Sequence, residues 1–417
     1  MSETVDTPFG SFALSRYPAR RKEPLRAWCG ADTLLLDAAA ALDTLPPRVL
    51  TVNDEHGALS VPLATAQATV TLWTDSALAA LAVAANREAN QCPPIAVVWS
   101  TERPPPASLV LLRIPKQKAF LEYQLALLAA QLPVGAQVLA AGMDKHLPGD
   151  VAALMERYLG ACERHHGRYK AHYFSARMGD RMGTTTAPLA AHQPPLAPAH
   201  RPAASPGTSP DNAWVEYDCP LLGGPLAALP NVFSRDRLDQ GSRFLIEQLG
   251  QLAPVQNAVD LACGNGVLGL AALQQGVAQH VLFCDESAMA LASARANRER
   301  LLPAAQAGFH HGDGLLDNVL ESPPGGVSDS IVDAPAPELI LCNPPFHLQH
   351  AVDDFAGRRL LGQAANSLAP GGHLCLVANR HLDYRPTLQR HFRTVVLAQN
   401  SKFRVYLARR EGGGMTN

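Results

Sequence analysis

Four consecutive residues, Asn343-Pro344-Pro345-Phe346, set an amide, two rigid rings and an aromatic face directly behind a short apolar run, Leu339-Ile340-Leu341-Cys342. That combination suits chemistry on a planar exocyclic amine. Such a nitrogen is a poor nucleophile, because its lone pair is delocalised into the ring. The side-chain carbonyl of Asn343 and the backbone carbonyl of Pro344 can each accept one of its N–H bonds. Held so, the lone pair is aimed at an electrophile, and the pyramidal, cationic transition state is favoured. The prolines, Pro344 and Pro345, fix the acceptors before reaction. Phe346 offers a face on which an extracted base can stack. No general base of unusual pKa is required.

A second constellation lies upstream in VDLACGNGVLGLAAL, residues 259–273. Gly264 and Gly266 let the chain turn tightly and bring backbone N–H groups to a ligand at a helix start. Taken alone, Gly264-x-Gly266-x-x-Gly269 suits an ordinary strand-to-helix turn as well as a dinucleotide site. Asp285 stands at the end of the next strand, where a carboxylate grips the two hydroxyls of an adenosine ribose. That fits NAD and S-adenosylmethionine alike. Asp260 favours S-adenosylmethionine: an acid there would repel a pyrophosphate but faces the cationic amino-acid end of a sulfonium donor. Asp313 follows the third strand and is placed to accept from an adenine amino group. An ordinary turn before Gly314 explains it almost as well.

These groups need strands whose ends converge. Two prolines cannot donate to a sheet ladder, so the strand over 339–342 must stop at Asn343. The chain also repeats itself. HVLFCDESAMALASARANRER (280–300) parallels TVTLWTDSALAALAVAANREAN (69–90). Each reads as a strand, an Asp at its end (Asp285, Asp75), and an Ala-rich helix closing in Ala-Asn-Arg-Glu. Residues 258–270 likewise parallel 49–61, and 366–383 parallel 130–147. Strands alternate with helices in both copies. The expected fold class is therefore α/β: two tandem Rossmann-like domains, each a mostly parallel sheet covered on both faces. In the first copy Thr51 faces Asp260, Glu55 faces Gly264, and Arg113-Ile114-Pro115-Lys116 faces Asn343–Phe346. The first copy keeps the scaffold and loses the site.

Residues 182–213, rich in Pro, Ala, Ser and Thr, read as a linker or insertion between domains over 1–181 and 214–417. The 417 residues exceed one ordinary core. A net charge of −2 excludes a global basic field, so nucleic-acid contact must come from local patches. Eight scattered Cys without CxxC pairs or a His cluster at zinc spacing point to reduced thiols, a cytoplasmic location and no metal. The N-terminus lacks a signal-peptide core, and no run is long enough to span a membrane. The oligomeric state stays open, with a monomer the default expectation.

On these motifs the second half resembles the class I S-adenosylmethionine-dependent methyltransferases. More narrowly, it is similar to the ribosomal RNA guanine-N2 methyltransferases with tandem methyltransferase-like domains. NVFSRDRLDQGSRFL (231–245), DLACGNGVLGL, CDESAMALASARAN, NPPFH and VANRHLDY (377–384) carry the likeness, which covers 231–410 and more loosely 10–175. NRHLDY and the spacing of the first copy resemble the large-subunit branch, the 23S rRNA enzymes of G type. The 16S rRNA branch is the alternative. The resemblance implies a catalytic second domain and a first domain that has lost the cofactor and helps hold RNA. It also lays the segment around Phe233, Ser234, Arg235 and Asp239 against the cofactor pocket. The expected shell for S-adenosylmethionine is then Asp260, Ala262, Cys263, Gly264, Asn265, Gly266, Leu268, Asp285, Glu286, Asp313 and Gly314, with Phe233 and Asp239. Residue chemistry alone makes Ser234 and Asp236 plausible helix caps.

Two stretches mix bases with rings: 16–28, and 157–177 with Arg164, Arg168, Lys170 and Arg177 beside Tyr169, Tyr173 and Phe174. Such patches suit phosphate contact and base stacking, or simply a solvated face. Arg380, at a strand end, is a further phosphate candidate. The basic residues of NSKFRVYLARR (400–410) read as solvating an edge strand. Competing functions remain. Adenine-N6 and protein-glutamine methyltransferases share the Asn/Asp-Pro-Pro-aromatic pattern, although Phe346 stands where glutamine enzymes carry Tyr. A nicotinamide-dependent oxidoreductase leaves 343–346 unexplained, and a non-catalytic RNA-binding protein leaves the intact second site unexplained.

Overall fold

The computed structural model describes residues 3–20, 23–179, 213–316, 335–344 and 355–411. The chain divides into two units, the second taking over at Trp214. The expected insertion lies almost entirely outside the described residues.

Each unit is built on a seven-stranded sheet. In the second, the strands run from edge to edge as Gln306–His311, Ala278–Asp285, Val255–Leu261, Leu339–Cys342, His373–Asn379, Phe403–Arg410 and Phe392–Gln399. The first five are parallel, and Phe403–Arg410 is antiparallel to both its neighbours. In the first unit the order is Ala96–Trp99, Thr69–Thr74, Arg48–Val52, Leu109–Arg113, Gln137–Met143, Ala171–Arg177 and Cys162–Arg164. Numbered by sequence within its own sheet, each reads 3-2-1-4-5-7-6. An antiparallel hairpin precedes each sheet, Glu3–Thr7 with Gly10–Leu14 and Val215–Cys219 with Gly224–Ala228. The repeat read from sequence is thus a repeat of topology.

The strand Leu339–Cys342 is apolar throughout because both its faces are covered. Leu339 and Leu341 pack into one layer with Phe283, Leu270 and Ala294. Ile340 and Cys342 point the other way, into a layer with Leu361, Ala364 and Tyr384. The first unit repeats this, with Val110 and Leu112 on one side and Leu109 and Leu111 on the other. Residues 403–410 are not an edge strand, as their basic character had indicated. They lie between His373–Asn379 and Phe392–Gln399, and Val405, Tyr406 and Ala408 are buried.

Candidate functional site

The polarity of the second sheet decides where its polar residues gather. Asp260 pairs in register with Leu341, and Leu261 with Cys342, so the residues that follow, Ala262 and Asn343, leave the sheet side by side. Asp285 ends the strand on the other flank. These positions occupy the carboxyl ends of parallel strands where the strand order reverses, the usual crevice for ligands in such sheets.

The three glycines of the loop do different work. Gly264 (φ +56°) has open space above it: a Cβ there would meet nothing within 4 Å. Gly266 (φ +84°) caps the helix Val267–Gln274, and a Cβ would stand 2.9 Å from that of Ala294. At Gly269 a Cβ would fall 2.5 Å from the Phe283 ring. The first therefore leaves room for a ligand, and the last lets helix and strand touch. Asp285 Oδ2 accepts from the Gly264 N–H at 2.9 Å and its Oδ1 from the Ser287 N–H at 2.9 Å.

Asp260 is wholly buried. Its Oδ2 accepts from the Gly269 N–H at 2.7 Å, while Oδ1 is buried with no hydrogen-bond partner. Burial pushes its carboxyl up to about 8; the Gly269 N–H opposes this and the Asp285 charge adds to it. An orphaned carboxylate oxygen, an open glycine cradle and a half-buried acid fit a nucleoside with a cationic tail.

Asn343 stands half-buried at the tip of its strand. Its Nδ2 donates to Asp239 Oδ2 at 3.0 Å and to Ser242 Oγ at 2.9 Å. Its Oδ1 is buried and has no partner. Asp239 is also the N-cap of the helix Gln240–Ile246, accepting from the Ser242 N–H at 2.8 Å. Ser234 and Asp236 cap nothing: Ser234 Oγ instead donates to the Arg237 carbonyl at 2.8 Å, inside a run of turns. Pro344 is buried; Pro345 and Phe346 lie outside the described residues.

The other expected cofactor residues divide. Ala262 (φ +59°) turns the chain out of the strand, and Cys263 and Leu268 are buried in the loop's packing. The Asn265 side chain is committed to the Tyr217 hydroxyl at 2.9 Å. The Glu286 carbonyl meets His311 Nε2 at 2.9 Å. Phe233 is 64% exposed. The Asp313 side chain is 1% exposed and ion-paired with Arg359, with Gln363 beside it. Gly314 is likewise pressed against Gln363. Asp313 thus anchors the helix Phe355–Ser367 to the third strand's loop.

Sequence reading passed over Ser242 and Asn297. Asn297 exchanges both hydrogen bonds with the backbone of Ala227 (2.8 Å each) and donates to the Asn265 carbonyl at 3.0 Å. It ties the hairpin to the glycine loop. Asn86 does the same in the first unit, bonding Ser15 and the His56 carbonyl. The signal for this joint in the sequence is the repeated Ala-Asn-Arg-Glu.

In the first unit the corresponding positions carry other pairings. Asp75 is buried, with its Oδ1 bonded to Ser100 Oγ at 2.5 Å. Arg113, standing where Asn343 stands, forms an ion pair with Asp32. Burial alone would lower its pKa, but the nearby Asp32, Cys29 and Glu55 more than offset that. Asp54, not the strand acid, caps the following turn by accepting from Gly57, Leu59 and Ser60. In the basic patch, Arg168 lies over Tyr169 and Arg164 over Phe174, at 4.9 and 5.9 Å from the ring centroids. Lys170 and Arg177 are exposed, as is Arg380 in the second unit. Among the described residues no cluster of His, Cys, Asp and Glu could hold a metal, and no helix is long and apolar enough to cross a membrane.

Fold and strand-end chemistry together define a methyltransferase. Residues 224–407 match the methyltransferase small domain, and residues 2–180 the RLMG N-terminal domain. The ribosomal RNA large subunit methyltransferase G of Alcanivorax borkumensis is 37% identical over 414 residues, covering 96% of this chain and 95% of that protein. The same-named protein of Stutzerimonas stutzeri is 37% identical, covering 93% and 94%. The chain belongs to the ribosomal RNA large subunit methyltransferase G family. Among solved structures, a T. thermophilus 16S rRNA N2 methyltransferase (RsmC) in complex with AdoMet and guanosine superposes with a TM-score of 0.71. It covers 99% of this chain and 98% of that one at 21% identity, and so speaks to the fold.

Proposed function

We propose that this protein transfers a methyl group from S-adenosylmethionine to the exocyclic N2 amine of one guanine in 23S ribosomal RNA. The observation that carries the reading is the unpartnered, buried Oδ1 of Asn343, held beside Ala262 and the open cradle above Gly264. S-adenosylmethionine supplies an electrophilic methyl on a sulfonium. Asp285 holds the ribose hydroxyls, the Gly264 turn admits the nucleoside, and Asp260 Oδ1 faces the cationic amino-acid end. Asn343 Oδ1 and the Pro344 carbonyl accept the two N–H bonds of the amine, which turns its lone pair outward. Domains follow the same division, with catalysis in the second unit. In the first, Arg164, Arg168, Lys170 and Arg177 meet RNA phosphates, and Arg380 serves this in the second.

Other amine substrates share the two-acceptor geometry. The family favours large-subunit RNA over adenine-N6 or glutamine targets. Mass-spectrometric mapping of ribosomal RNA from a strain lacking the protein tests the reading. One unmethylated guanine in 23S RNA is expected, restored by the wild-type protein and not by Asn343→Ala. A missing methyl on 16S RNA, or none missing, would overturn it.

A further inference from the structure

An amide is symmetric in shape and not in chemistry. If the Asn343 side chain turned over, it would present N–H donors to an amine that is itself a donor, and the site would repel its substrate. Nothing in the Asn-Pro-Pro sequence prevents that. The structure does. Asp239 presents a carboxylate oxygen to one end of the amide at 3.0 Å, and an ionised carboxylate can only accept. Ser242 Oγ takes the second N–H at 2.9 Å. With both hydrogens of Nδ2 engaged, Oδ1 must face the other way, where it is buried and unpartnered. Asp239 is itself pinned, because the same Oδ2 accepts from the Ser242 N–H at 2.8 Å at the start of the helix Gln240–Ile246. Gly241 belongs to the same joint: a Cβ there would stand 3.0 Å from Asp239 Oδ2 and 3.3 Å from the Phe403 ring.

We infer that Asp239, with Ser242, is a positioning residue for methyl transfer: it fixes which end of the Asn343 amide meets the substrate amine, rather than binding the cofactor. The inference rests on the reaction proposed above. It reassigns Asp239 from the cofactor shell in which sequence resemblance had placed it. The acid acts at a distance of one side chain from the reacting nitrogen. Its loss should therefore lower turnover and leave cofactor affinity unchanged.

The test is a set of full-length variants assayed for methyl transfer to ribosomal RNA, with AdoMet affinity measured by calorimetry and folding by thermal melts. Asp239→Asn keeps a good helix cap but offers Asn343 an amide with two possible faces. Its kcat should fall roughly 10- to 100-fold, the size expected for losing one oriented charge-assisted hydrogen bond. AdoMet affinity should stay within about twofold of wild type, with melting unchanged. Asn343→Asp sets two carboxylates against each other and should be nearly inactive near neutral pH. The reciprocal pair, Asp239→Asn with Asn343→Asp, restores a donor facing an acceptor. It should recover at least about tenfold over Asn343→Asp alone. A structural role would make the two losses multiply, and that result would overturn the inference. So would a large loss of AdoMet affinity in Asp239→Asn, which would return the residue to the cofactor. If wild-type protein transfers no methyl to RNA, the reaction itself is wrong. If it does and the reciprocal pair shows no recovery, only the role of Asp239 falls.

Discussion

Asp260 combines complete burial, one backbone hydrogen bond and an orphaned oxygen. Its folded carboxyl titrates at about 8, above the ordinary range, chiefly because burial penalises the charge. A raised carboxyl means that the folded protein holds a proton the unfolded chain has released. Stability from this group is full below the unfolded value, about pH 4, and is lost as pH rises through the folded value of about 8. Thermal melts of cofactor-free protein should therefore fall across that window, and Asp260→Asn should flatten the fall. Equal slopes would show a carboxylate already ionised throughout. Residue types were what sequence disclosed best at this scale. Asn343, Asp260 and Asp285 were all legible, because their place at strand ends follows from local pattern. The ion pair of Asp313 with Arg359 was not, because Arg359 is distant in sequence and only packing brings it to the carboxylate.

Among elements, the joint between Val267–Gln274 and the strand Ala278–Asp285 is set by the absence of a side chain at Gly269. Gly269→Ala puts a methyl 2.5 Å from Phe283 and 2.9 Å from Val281. Overpacking of this kind costs about 1–3 kcal/mol, more than the helix propensity that Ala gains. A lower denaturation midpoint is expected for it by urea titration. Gly264→Ala meets nothing within 4 Å, but its φ of +56° strains any residue with a side chain, so a loss of stability of about 1 kcal/mol should come with a distinct loss of AdoMet affinity that Gly269→Ala lacks. The opposite assignment of the two effects would contradict the division of labour within the loop. The first unit tolerates Ser60 where Gly269 stands, and uses the hydroxyl to bond Asp54 and Thr51 at 2.8 and 2.7 Å. Alternation and turn residues announced the strands and helices. They misplaced the cap before Gln240–Ile246, since Ser234, Asp236 and Asp239 are equally good caps by type and only the geometry at Ser242 selects Asp239.

For the molecule as a whole, duplication followed by specialisation predicts one cofactor per chain. The first unit repeats the strand order and the buried asparagine joint, yet Asp75 is spent on Ser100 and Arg113 stands in the place of the acceptor amide. Calorimetric titration with AdoMet should give a stoichiometry near one. Asp285→Ala should weaken that binding roughly 100-fold through two lost charge-assisted bonds to the ribose. A second event surviving Asp285→Ala would place a working site in the first unit. The sequence by itself determined the α/β class and the repeat, because periodicity and strand-end residues are local features of the chain. Tertiary structure alone decided that residues 403–410 run inside the sheet, that Asp313 pairs with Arg359, and that Asp239 and Ser242 bond the Asn343 amide. Each of these depends on a partner far away in sequence, and a hydrogen bond or ion pair exists only once folding has brought both groups to one point.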